Sequence, residues 1–222
     1  MFIGHIAVAL GAKKFAPRTS LGTLMFSAQF LDLLWPLFLL WGVEHVRIDP
    51  GNTAVTPLDF YDYPLTHSLL TAMAWAVLVA GTHYLTLREA RTAVVLYLVV
   101  LSHWVLDFIT HRPDLPLIPG MDTLVGLGLW NSVGGTIAVE LAMFLAGTAL
   151  YVQTTVPRIM MGRLGLWLLL SFLLVTWVIN IFGPPPADER LVAFAGLGLW
   201  LLVLAGFGVD RARELRNDSE DS

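Results

Sequence analysis

Apolar residues along this chain come in long runs, without the alternation of a half-buried strand. Six windows of mainly apolar residues follow one another: Ser20–Val43, Pro64–Thr86, Thr92–Arg112, Thr123–Gln153, Arg163–Phe182 and Leu191–Val209. Each is long enough for a helix to cross a hydrocarbon layer about 30 Å thick. The fourth is longer than a crossing needs, and its GLGLWNSVGG start, Gly126–Gly135, reads as a bent or re-entrant entry. Phe2–Gly11 is also apolar but too short to span, and Lys13 with Lys14 pins its C-terminal end to one face. It either dips into the protein or lies on the surface as an amphipathic helix. If it dips, His5 rises roughly 12 Å above Lys13 and can meet Asp32.

The expected architecture is therefore an all-α, polytopic membrane helix bundle. It has about six transmembrane helices plus a short N-terminal re-entrant or interfacial helix, in a single integral membrane domain over residues 1–210. Arg211–Ser222 is charged and poor in apolar residues, and reads as a disordered cytoplasmic tail. GPPP at Gly183–Pro186 ends the fifth span in a stiff turn. LGLW occurs three times, ending at Trp130, Trp167 and Trp200, near predicted membrane boundaries where Trp is favoured. These tryptophans read as interface anchors.

Composition supports a lipid solvent. Of 222 residues, 56% are hydrophobic and 14% charged, against about 25% charged in soluble domains, and the mean hydropathy is +0.71. A net charge of −4 gives no reason to expect nucleic acid as a partner. With no cysteine, disulfides, thiolate metal sites and thiol nucleophiles are excluded.

Basic residues set the expected orientation. Ten of the 13 fall in one set of loops: Lys13, Lys14 and Arg18, then Arg88 and Arg91, Arg158 and Arg163, and Arg211, Arg213 and Arg216. Arg47, Arg112 and Arg190 fall in the other set. Both termini are then expected on the cytoplasmic side of the cell's inner membrane, with no cleaved signal peptide, since the first long apolar run is a full span.

Against this background the ionisable residues within or beside the spans need a reason, because each costs a few kcal/mol at membrane depth unless it is paired or hydrated. LSHWVLDFITHRPD carries His103, Asp107 and His111 four positions apart, which stacks them on one helix face. Asp32 lies mid-span in AQFLDLLWP, His67 at the outer end of YPLTHSLL, and Glu140 inside TIAVELAM. Imidazole and carboxylate donors suit a divalent metal such as zinc, whose charge offsets the carboxylates. A hydrogen-bonded pair or a proton relay uses the same residues, and the residues alone leave both readings open.

Other polar residues read more plainly. Glu44, His45, Asp49 and Asp62 read as solvated loop charge in preference to site groups. His83 falls on the wrong side. Thr66, Ser68 and Ser102 read as helix-packing hydroxyls or as donors that orient the ligands, and Asn180 as an interhelical hydrogen bonder.

The order His5, Asp32, THS with His67, and SHxxxD with His103 and Asp107 resembles the YdjM-like family of membrane-bound proteins described as metal-dependent hydrolases. THSLL and LSHxxxDFxT are the most specific pieces. A more distant likeness in ligand order to zinc phospholipase C and P1 nuclease extends the set to His111 and Glu140, with Thr136 where those enzymes have a histidine. These resemblances imply a zinc site made from His5, Asp32, His67, His103, Asp107, His111 and Glu140. They imply hydrolysis of a phosphoester, with a membrane lipid or lipid-linked molecule as substrate, Asp32 or Asp107 orienting water, and Arg112 holding a phosphate oxygen. The alternative is a small proton- or metal-coupled transporter using the same buried residues. A third is a scaffold whose polar core only joins helices.

Overall fold

In the computed structural model, which describes residues 1–216, ten helices form an all-α bundle with three two-stranded ribbons at its ends. The helices are α1 (Ile3–Ala12), α2 (Leu21–Ala28), α3 (Phe30–Leu40), α4 (Pro64–His67), α5 (Leu69–Leu87), α6 (Ala90–Thr110), α7 (Val133–Thr154), α8 (Met160–Phe182), α9 (Glu189–Leu197) and α10 (Leu199–Arg211). Five stretches are long and apolar enough to cross a membrane: α5, α6, α7, α8 and the run Glu189–Arg211. Counting α2 and α3 as one broken span makes six. Many large apolar side chains point outward from them, among them Val77, Leu78, Leu168, Val175, Leu201 and Leu204. On a water-soluble domain so much exposed hydrocarbon would drive aggregation; it is the surface a multi-pass membrane protein presents to lipid.

α1 settles into the middle of the bundle. Every residue of it except Val8 is buried, and it packs most extensively on α7, then on α2 and α6. At 1.5 Å per residue, ten residues make about 15 Å, half a hydrocarbon layer. Of the two placements open to this segment, the dipping one is realised. Close approach to α7 depends on Gly147, where an added Cβ would stand 2.3 Å from the carbonyl oxygen of Ala7.

The first and fourth windows depart most from simple helices. The first is bent by 57° between α2 and α3, at Gln29, whose φ of −101° and ψ of 8° leave the helical region. Pro36 within α3 removes a further backbone donor. In the fourth window the helix proper begins only at Val133, capped by Ser132 accepting from Gly135 N. The preceding residues form β4 (Leu124–Val125), paired with β3 (Leu115–Pro116), and a single 3₁₀ turn at Leu129–Asn131.

At the end of the bundle that carries the third-span histidines, β1 (His45–Ile48) pairs with β2 (Leu58–Asp62). At the opposite end β5 (Thr155–Pro157) pairs with β6 (Arg213–Leu215). Arg213 is buried there, with its guanidinium bonded to Thr155 and to the Gly162 carbonyl. The expected disorder of the tail thus does not extend to this strand, because a backbone ladder and a buried arginine hold it; residues 217–222 of that tail lie outside the described residues.

Candidate metal centre

The third span places two of the site's side chains by itself. α6 runs unbroken to Thr110 and stops where Pro113 disfavours helical backbone just before it. His103 and Asp107 are then one turn apart and turned inward, both fully or almost fully buried. His103 Nε2 lies 3.1 Å from Asp107 Oδ2.

The bend in the first span supplies the orientation of His103. Breaking the helix at Gln29 frees the carbonyl of Ala28, which lies 2.8 Å from His103 Nδ1 and accepts its N–H. A ring protonated on Nδ1 presents the lone pair of Nε2. That Nε2 atom is buried with no geometrically sound hydrogen bond. The same bend brings Asp32 to 3.7 Å from His103 Nε2 and 3.4 Å from His67 Nε2.

His67 arrives from α4, a single turn before Ser68 caps α5 by accepting from Thr71 N. Its Nδ1 is 2.7 Å from Thr66 Oγ1. Thr66 Oγ1 in turn bonds Glu44 Oε2 at 2.7 Å, while Glu44 Oε1 receives the backbone N–H of Leu65 and Thr66. Glu44 is 1% exposed; its reading as solvated loop charge is overturned. Three donors and a short helix start explain why a carboxylate is tolerated there. Asp62 and His45 do behave as loop charge, exposed and paired with each other at 2.7 Å.

His5 comes from the buried α1. Its Nε2 is 3.1 Å from Asp107 Oδ1, and its ring stacks on His103. The amino group of Met1 is 2.8 Å from the same Asp107 oxygen. Two sets of donor atoms, each within 4.8 Å of one another, result: His5, His103 and Asp107, and Asp32, His67 and His103. His103 belongs to both. These groups, buried except for the partly exposed Asp32, could hold a metal ion. An imidazole whose Nδ1 is committed offers one lone pair, so the shared ring favours a single ion between the two sets.

Two expected ligands have other partners. Glu140 Oε2 accepts the backbone N–H groups of Phe2 and Gly4, so it caps the start of α1, where the orphan donors and the helix dipole favour a carboxylate. His111 lies nearer the donors, with Nε2 4.0 Å from Asp107 Oδ1. Its Nδ1 is 2.9 Å from Asp114 Oδ1, and Tyr63 donates to the same oxygen at 3.1 Å. Burial, then the charge of Asp114, pushes the Tyr63 phenol well above its usual range, so it stays a donor. Arg112, expected to hold phosphate, is paired with Asp59 and lies 3.5 Å from Asp114.

A cavity of about 180 Å³ opens beside the donors, lined by Asp32, His67, Asp107 and His111 and walled by Trp35, Phe60 and Trp130. Trp130, read from LGLW as a membrane anchor, has its ring 4.3 Å from that of His111. The turn before it is tied down by Gly128 N bonding His111 O at 2.7 Å. Tyr63, Asp114 and Trp130 carry no signal of a site role in the sequence, because neither spacing nor hydropathy distinguishes them from loop residues. Trp167 and Trp200 do face outward. Ser102 bonds only the Val99 carbonyl of its own helix.

The chain matches no family model, no curated protein and no solved structure in comparisons with all three.

Proposed function

We propose that this chain is a membrane-embedded, metal-dependent phosphoester hydrolase of the YdjM-like kind, acting with zinc on a lipid or lipid-linked substrate. One observation carries it: donors from α1, α3, α4 and α6 meet around the unbonded Nε2 of His103, beside a cavity. Three imidazoles and two carboxylates are the donor set that zinc prefers when thiolates are absent. A zinc ion held by His5, Asp32, His67, His103 and Asp107 would supply Lewis acidity to a phosphoryl oxygen and lower the pKa of water.

The protein's own groups do the rest. Asp107 offers one oxygen to each side of the site, and Ala28 and Thr66 hold the two rings His103 and His67 in register. His111, with Nδ1 fixed by Asp114, turns Nε2 toward Asp107 and the cavity, where it can take or give a proton. Trp35, Phe60 and Trp130 give the cavity an apolar wall.

The test is zinc content and phosphate release measured on purified protein with a panel of phosphoesters. Wild type is expected to carry near-stoichiometric zinc and release phosphate. Asp107→Asn preserves shape and should lose both. Zinc without hydrolysis of any phosphoester would overturn the reading in favour of a metal-coupled carrier.

A further inference from the structure

A second and larger cavity adjoins the first. It measures about 630 Å³ and lies between α8 and the α9–α10 pair, with the loop 50–57 at one end. Its walls are mainly apolar, with Phe172, Ile179, Leu191 and Leu202 contributing. Phe2, Asn180, Gly196 and Leu199 line both cavities. The polar site and the apolar space therefore share a boundary, and Asn180 is the only polar side chain among the four residues on it.

We propose that the larger cavity receives the hydrocarbon chain of the substrate while its phosphoester lies at the His/Asp site, with the Asn180 amide at the junction between them. The proposal rests on the hydrolase reading above and specifies its substrate as a long-chain amphiphile. Three features support it. The two spaces have the chemistry of the two halves of such a molecule, and they share four lining residues. Phe172, Ile179 and Leu191 are also on the outward apolar surface of the bundle, so a chain can enter sideways from lipid without crossing water. Finally, the shared boundary carries no side chain at Gly196, where a Cβ would stand 2.5 Å from Pro36 Cγ. A soluble phosphoester would use only the smaller cavity, leaving the larger one idle.

The experiment uses the full chain in detergent and phosphatidic acid with a diazirine at mid-chain as the probe. Photolabelling should concentrate on Phe172, Ile179 and Leu202. Thr176→Trp, which fills the cavity from α8, should reduce it about tenfold, and Ala195→Trp, from the opposite wall, should do the same and guard against a folding defect in one variant. In parallel, both variants should raise KM for long-chain phosphatidic acid about tenfold while dihexanoyl phosphatidic acid is turned over within about twofold of wild type, the pattern of lost uniform binding. Labels spread evenly over the lipid-facing helices, or equal loss with both chain lengths, would overturn the proposal. Cavity labelling without hydrolysis of either lipid, or of any phosphoester in the panel above, would overturn the hydrolase reading and leave the chain-binding assignment standing.

Discussion

The imidazoles of His5 and His103 lie face to face, with ring centroids 3.7 Å apart and planes within 3° of parallel. Each directs Nε2 to a different oxygen of Asp107, at 3.1 Å in both cases. Asp107 is thus bracketed by two rings from separate helices.

Divalent metal affinity should follow that geometry. His103→Ala removes the one donor common to both ligand sets and is expected to abolish stoichiometric zinc. His5→Ala, which leaves the Asp32, His67 and His103 set intact, should weaken binding and retain a fraction of it. Equilibrium dialysis against a competing chelator checks the order; equal affinities for the two variants would contradict a shared His103.

Glu44 acts on His67 at one remove, through Thr66. Thr66→Val keeps the size of the side chain and cuts both hydrogen bonds, so zinc affinity should fall about 10–100-fold, the usual range for a group that orients a ligand. The same titration reads it. Glu44→Gln should lie between Thr66→Val and wild type, since its oxygen can still accept from Leu65 and Thr66.

Gly147→Val should damage the site from a distance. The larger side chain would press on the backbone of α1 at Ala7 and shift the helix that carries His5, at a cost of about 1–3 kcal/mol from overpacking. A lower thermal midpoint together with weakened zinc binding is expected. Unchanged binding would mean that α1 is not held by this contact.

Orientation is open to a clean chemical test because the chain has no cysteine. A cysteine at Thr53 should react with an impermeant maleimide in intact cells, and one at Glu214, whose side chain is 58% exposed, only after permeabilisation. The reverse pattern would place the cavity end of the bundle in the cytoplasm.

Much of this protein is written in runs of apolar residues. Four of the spans emerge as helices near their expected limits, since twenty apolar residues in lipid have no other way to satisfy their backbone. His103 and Asp107 were also legible, because helical spacing alone brings residues four apart onto one face.

What the sequence could not decide is how separate helices meet. The bend at Gln29, the burial of α1 and the use of Glu140 as its cap all depend on packing between segments distant in the chain. The same holds for Glu44, whose burial follows from a loop folding onto α4 and has no signature in its neighbours. A carboxylate in a polar loop looks the same whether water or three N–H and O–H groups surround it. Local sequence sets the backbone hydrogen-bonding within a helix, whereas the partner of a buried charge is chosen by tertiary contact, and in this protein those contacts assemble the site.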